Sequence, residues 1–142
     1  MVIILAWGVG GILFVISGLH FYWVWGGSGG YRAVIPSMET GPIFRPSKLG
    51  TGVVAVLLAL AAWLALEWGG IQRGLFSDIL LKYGGWLLTV VFLVRAIGDF
   101  KWVGFFKKKR GTVFAKWDSL LYSPLCLLLG TALLMIGLLR MD

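Results

Sequence analysis

Hydrophobic residues fall into four long runs, each broken by a short stretch of glycine, proline or charge. The first extends from Val2 to Trp25, and no charged side chain occurs before Arg32. A helix rises roughly 1.5 Å per residue and the hydrocarbon layer is about 30 Å thick, so about 20 apolar residues make one crossing. The pattern predicts a first helix over about 2–25. It ends in an interfacial belt, Phe21, Tyr22, Trp23 and Trp25, ahead of the breaker Gly26-Gly-Ser-Gly-Gly30.

The second run predicts a span over about 46–68, with Pro46 in its first turn, where a missing N–H costs nothing. Gly52, Ala55, Ala59 and Ala62 share one stripe of it, a face that another backbone can approach closely. Glu67 and Trp68 mark its far end, where the carboxylate is expected to meet water. The third span covers about 78–100, with Ser77 as N-cap and Asp78 at the positive end of the helix dipole. Lys82, one turn inside, can snorkel to the headgroups.

The fourth span is expected over about 118–139. A start at Pro124 would leave 16 residues to Leu139, about 24 Å, which is short of the hydrocarbon core. Asp118 is therefore read as the N-cap, and Pro124, within the second turn, as the site of a kink.

Composition agrees with this pattern. Of 142 residues, 59% are hydrophobic and 13% charged, with a mean hydropathy of +0.91, which excludes an ordinary soluble domain. Four spans fill the chain, so the fold class is all-α, a single four-helix transmembrane bundle over 1–142. The N-terminal run lacks the basic stretch of a secretory signal and is read as a permanent span. One cysteine, Cys126, excludes an intrachain disulfide, and no cofactor is legible in the residues.

The net charge of +7 raises the question of a nucleic-acid partner, but the excess sits in loops and fits membrane topology better. Arg32, Arg45 and Lys48 lie between spans one and two, and Lys101, Lys107, Lys108, Lys109, Arg110 and Lys116 between spans three and four. These are nine cations, against three, Arg73, Lys82 and Arg140, on the other side. The positive-inside rule then puts both termini outside and the two longer loops in the cytoplasm.

A weak repeat runs parallel to this topology. His20-Phe-Tyr-Trp-Val-Trp25 aligns on Asp99-Phe-Lys-Trp-Val-Gly104 with three of six positions shared, and Trp7 aligns on Trp86 at the same offset. Two parallel two-helix units would produce it; so would chance among aromatic-rich span ends.

Topology brings His20, Arg95, Asp99, Asp118 and Tyr122 to one edge of the bundle. Ionisable groups at membrane depth are costly unless paired, so such a cluster is a candidate ligand site. Arg95 and Asp99 are four residues apart on one helix face and can pair with each other. The guanidinium is alternatively a fork for phosphate or carboxylate. His20, the only histidine, suits either a hydrogen-bonded interface residue or a proton carrier. Lys107, Lys108, Lys109 and Arg110 read as a juxtamembrane segment attracted to anionic lipid headgroups. No Walker loop, HExxH or GxSxG occurs.

The stretches Leu19-His-Phe-Tyr-Trp-Val-Trp-Gly-Gly27, Arg95-Ala-Ile-Gly-Asp-Phe100 and Thr112-Val-Phe-Ala-Lys-Trp-Asp-Ser-Leu-Leu-Tyr-Ser-Pro-Leu-Cys126 resemble a family of short bacterial four-span membrane proteins catalogued as a domain of unknown function. The resemblance implies the four-span fold and a bacterial cytoplasmic membrane, and no activity. The functional expectation is a module that binds or transports a small or amphiphilic ligand at a polar, cytoplasm-facing pocket. Anionic lipids are its expected partners, and a homo-oligomer is an open possibility. A membrane-embedded enzyme using His20 or Asp118 as acid–base group, and a structural subunit of a membrane complex, are the alternatives.

Overall fold

A computed structural model describes residues 1–35, 37–38, 41–42, 46–71 and 74–140, without the side chains of 31–32, 37–38 and 41–42. Arg45 and Arg73, two of the cations used to orient the chain, lie outside the described residues.

Helix α1 spans Val2–Val24. Its end is fixed by the glycine linker, which folds back over the aromatic belt: Gly27 N–H donates to the Tyr22 carbonyl at 2.9 Å and Trp23 Nε1 to the Gly29 carbonyl at 2.9 Å. A Cβ at Gly27 would collide with the Tyr22 ring, so the linker needs glycine for close approach. The one-turn α2 (Tyr31–Val34) and a two-residue antiparallel pair, β1 (Ser37–Met38) with β2 (Gly41–Pro42), follow.

Helix α3 is Lys48–Trp68. Its N-cap is Ser47, whose Oγ accepts from Gly50 N at 3.0 Å, so Pro46 precedes the helix instead of opening it. Helix α4 is Asp78–Ile97, and Ser77 caps it as expected, accepting from Leu80 N at 3.4 Å. It stops short of Asp99 because Gly98 takes φ 91°, a left-handed conformation that turns the chain out of the helix.

The fourth span departs most from the sequence reading. It is a continuous helical run over Val113–Leu139, made of α5 (Val113–Trp117), a π segment (Asp118–Tyr122) and α6 (Ser123–Leu139). The cap is Thr112, whose Oγ1 accepts from Ala115 N at 3.0 Å, and Asp118 lies inside the helix. Pro124 explains the π segment. It has no N–H to give the Leu120 carbonyl and its ring would press on that group, and the wider turn, closed by Ser123 N–H on the Asp118 carbonyl, relieves both.

All four long helices are long and apolar enough to cross a bilayer, and the chain is an all-helical membrane protein. They run up and down, with the tightest packing inside two hairpins, α1 with α3 and α4 with α6. In lipid such pairs are held by close packing and not by hydrophobic transfer, so small residues set the geometry. The expected stripe on α3 is used this way: Ala55 and Ala62 are fully buried, Ser17 Oγ donates to the Ala55 carbonyl at 2.7 Å, and Gly10 of α1 lies against Leu66. Gly130 of α6 meets Leu93 of α4 in the same manner. Leu13, Leu129, Leu133, Ile136 and Trp68 fill the centre.

Helix α3 also holds a correction. Glu67 does not meet water; it is 1% exposed. Its Oε1 accepts from Trp63 Nε1 at 3.0 Å and Leu75 N at 2.8 Å, and its Oε2 from Phe76 N at 3.2 Å. The carboxylate folds the connection after α3 back onto the helix end. Arg140 closes the same end by donating to the Trp68 carbonyl.

Candidate functional site

At the opposite end of the bundle a buried charge cluster is organised around Asp118, which has no exposed surface. Its Oδ1 takes Arg95 Nη2 of α4 at 2.9 Å, and its Oδ2 takes Lys107 Nζ at 2.9 Å. Oδ2 also accepts from Gly104 N at 2.9 Å and Ser123 Oγ at 3.2 Å. The π segment contributes directly, since its extra residue per turn sets Asp118 and Ser123 on a common face. Two cations on one carboxylate leave the cluster with a surplus positive charge, and Arg95 Nη1 is a buried donor with no partner among the described residues.

The loop over residues 98–112 delivers Lys107 and Gly104. Asp99 organises its first turn: Oδ1 accepts from Lys101, Trp102 and Val103 N–H at 2.9, 2.7 and 2.9 Å. Desolvation by the loop that wraps it raises the Asp99 pKa, but the backbone N–H donors around the carboxylate outweigh it and hold the group below its ordinary value. Phe105 N–H donates to the Ala96 carbonyl at 2.9 Å, which pins the loop across the end of α4. Gly98 and Gly104 touch where it doubles back. Lys107 Nζ then finds three acceptors: Asp118, the Gly104 carbonyl at 3.0 Å and Ser119 Oγ at 2.7 Å.

Of the five expected ligand residues, the fold joins only two. Arg95 pairs with Asp118 and not with Asp99, because Asp99 lies beyond the helix end and is occupied by its own turn. Tyr122 stands one turn from Asp118 and donates to the Ala33 carbonyl at 3.3 Å, tying α2 to the fourth span. His20 stays on its own helix, with Nδ1 2.8 Å from the Ile16 carbonyl and its ring edge-on to Trp23.

Lys107 also leaves the group to which the sequence assigned it. It is 3% exposed and belongs to the buried cluster, whereas Lys108, Lys109 and Arg110 are exposed. A basic run beside two phenylalanines reads as a solvated face; the signals against that for Lys107 are the glycines at 98 and 104, which mark a chain that folds back. Lys109 Nζ sits 5.7 Å from the Trp102 ring centroid, a cation–π contact.

Beside the cluster an open cleft of about 490 Å³ lies against the start of the fourth span. Arg110, Thr112, Lys116 and Ser119 give it its polar lining and Val113 and Ala115 its apolar lining, with no acidic side chain among them. Ser119 is common to the cleft and the charge cluster. Among the described residues no group of three or more His, Cys, Asp or Glu side chains is placed to hold a metal ion.

Residues 12–133 match a protein family described as "Protein of unknown function (DUF3995)". No curated protein and no solved structure matches the chain.

Proposed function

The chain belongs to the DUF3995 family, whose description assigns no activity, and from its geometry we propose a binding module that holds an anionic amphiphile in the cleft beside the Asp118 cluster. The observation that carries this is the cleft's lining: two cations and two hydroxyls, no carboxylate, at the end of an apolar helix. A headgroup there leaves its chains free to lie along Leu120 and Leu121, which follow Ser119 in the chain and are exposed.

The proposal includes orientation. The cleft end carries exposed Lys48, Lys101, Lys108, Lys109, Arg110 and Lys116, and the other end Lys82 and Arg140. That asymmetry supports a cytoplasm-facing cleft with both termini outside, in a bacterial cytoplasmic membrane. The acid–base alternative draws less support where it runs through Asp118. Asp118 presents no exposed oxygen, and the Lys107 ammonium has an acceptor for each of its three protons, so neither is free to move a proton to or from a substrate.

The test separates a built cleft from general basic attraction. Removing two cations that hydrogen-bond one anion, at about 1.5 kcal/mol or more each, lowers affinity roughly a hundredfold. The double variant Arg110→Gln, Lys116→Gln is expected to lose retention of anionic lipid by about that factor when the purified protein is equilibrated with mixed vesicles. Lys108→Gln, Lys109→Gln, with the same charge change outside the cleft, is expected to lose far less. Equal losses would reduce the site to diffuse surface charge.

A further inference from the structure

Within that reading of the cleft, we infer that Ser119 is a hydroxyl donor fixed by Lys107 and that it tunes the cleft to a lipid ending in a phosphate monoester. The inference starts from proton counting. An ammonium has three protons, and Lys107 Nζ has three acceptors, the Gly104 carbonyl at 3.0 Å, Asp118 Oδ2 at 2.9 Å and Ser119 Oγ at 2.7 Å. Ser119 Oγ is therefore the acceptor in that contact. Its own proton has no partner among the described residues, and the side chain is exposed and lines the cleft.

Thr112 is in the same condition. Its Oγ1 accepts from Ala115 N at 3.0 Å as the helix cap, which leaves its hydroxyl proton to be donated. Arg110 and Lys116 can only donate. Every polar side chain of the cleft thus has a proton to donate, and none carries a negative charge. A headgroup ending in an ammonium finds no anionic acceptor there and meets two cations. A terminal phosphate is an acceptor on three oxygens and carries a charge of roughly −1.5 to −2, which matches the two cations of the lining. A phosphodiester, with one negative charge and two free oxygens, matches less well. Lys107 is a positioning residue in this arrangement: it never meets the ligand, and it decides which way the Ser119 hydroxyl points.

The experiment equilibrates the full chain in detergent with phosphatidic acid, phosphatidylglycerol or phosphatidylcholine and counts retained lipid by native mass spectrometry. The wild type is expected to prefer phosphatidic acid to phosphatidylglycerol by about tenfold and to retain phosphatidylcholine least. Loss of one hydrogen bond to a charged group is worth about a tenfold change or more. Ser119→Ala should therefore bring phosphatidic acid down to the level of phosphatidylglycerol, with the latter nearly unchanged, and Ser119→Thr should restore the preference. A thermal melt unchanged in both variants shows that the cluster is intact. An unaltered preference in Ser119→Ala overturns the inference and leaves the cleft reading standing if the Arg110, Lys116 double variant still loses lipid. Absence of any preference for anionic over zwitterionic lipid in the wild type overturns both. Inorganic phosphate that binds as tightly as phosphatidic acid, without lipid present, overturns the lipid assignment.

Discussion

Asp118 combines full burial with two salt bridges, and that combination decides what its loss would do. A buried ion pair adds little over an apolar replacement of the whole set, but removing one partner strands the others without compensation, on the order of 3–5 kcal/mol. Asp118→Asn leaves Arg95 and Lys107 facing each other across a neutral amide. It is expected to lower the melting temperature sharply, whereas Ser123→Ala, which removes one neutral donor at 3.2 Å, is expected to cost only about 1 kcal/mol. Similar melting temperatures for the two variants would show that the cluster does not carry a net buried charge interaction. Asp118 and Arg95 were both legible as candidates, because topology brings these ionisable span-end groups to one edge of the membrane, where such groups need partners. Their pairing was not, since helix periodicity offers Asp99 as the nearest partner and says nothing of a residue that lies 23 positions away. Lys107 was hidden for a different reason: charge runs are read as a unit, and the glycines at 98 and 104 that fold the chain back lie outside the run.

The elements most dependent on context are the loop over residues 98–112 and the helix start that follows it. Length alone placed the start at Asp118, since 118–139 is long enough to span. The helix is longer than spanning requires because Pro124 is absorbed by a π turn and not by a break. Thr112 as cap carries little signal beyond its residue type. The loop's closure rests on Gly104, which has φ 90° and whose Cβ, if present, would fall on the Ile97 carbonyl. Gly111 has a similar φ, 95°, but open space around it. Gly104→Ala therefore meets both strain and collision, and Gly111→Ala only strain. With the loop displaced, Lys107 loses Asp118. Amine acylation read by mass spectrometry is expected to modify Lys108 and Lys109 in the wild type and spare Lys107. Lys107 should become reactive in Gly104→Ala and remain protected in Gly111→Ala. Protection of Lys107 in both variants would mean that the lysine holds the loop without the glycine turn.

For the whole molecule the four crossings were legible, because a run of about 20 apolar residues has few other uses, and the structure moves their ends by only a few residues except at the fourth. The closest pairs, α1 with α3 and α4 with α6, are consecutive spans, and the two long loops belong to those hairpins. As a result, residues 28 and 108 stand at one end of the bundle and residue 75 at the other. The sidedness of the cleft follows if the positive-inside rule governs this chain, and labelling can decide it. In a Cys126→Ala background, Ser28→Cys, Lys108→Cys and Leu75→Cys place one thiol each at exposed positions. In intact bacterial cells a membrane-impermeant maleimide is expected to label only residue 75, and the other two only after lysis. Labelling of residues 28 and 108 from outside, with residue 75 protected, would invert the bundle and turn the cleft toward the outer leaflet. Residues 28 and 108 on opposite sides would contradict the up-down order itself, because Tyr122 of the fourth span reaches the Ala33 carbonyl only if both loops share one face of the membrane.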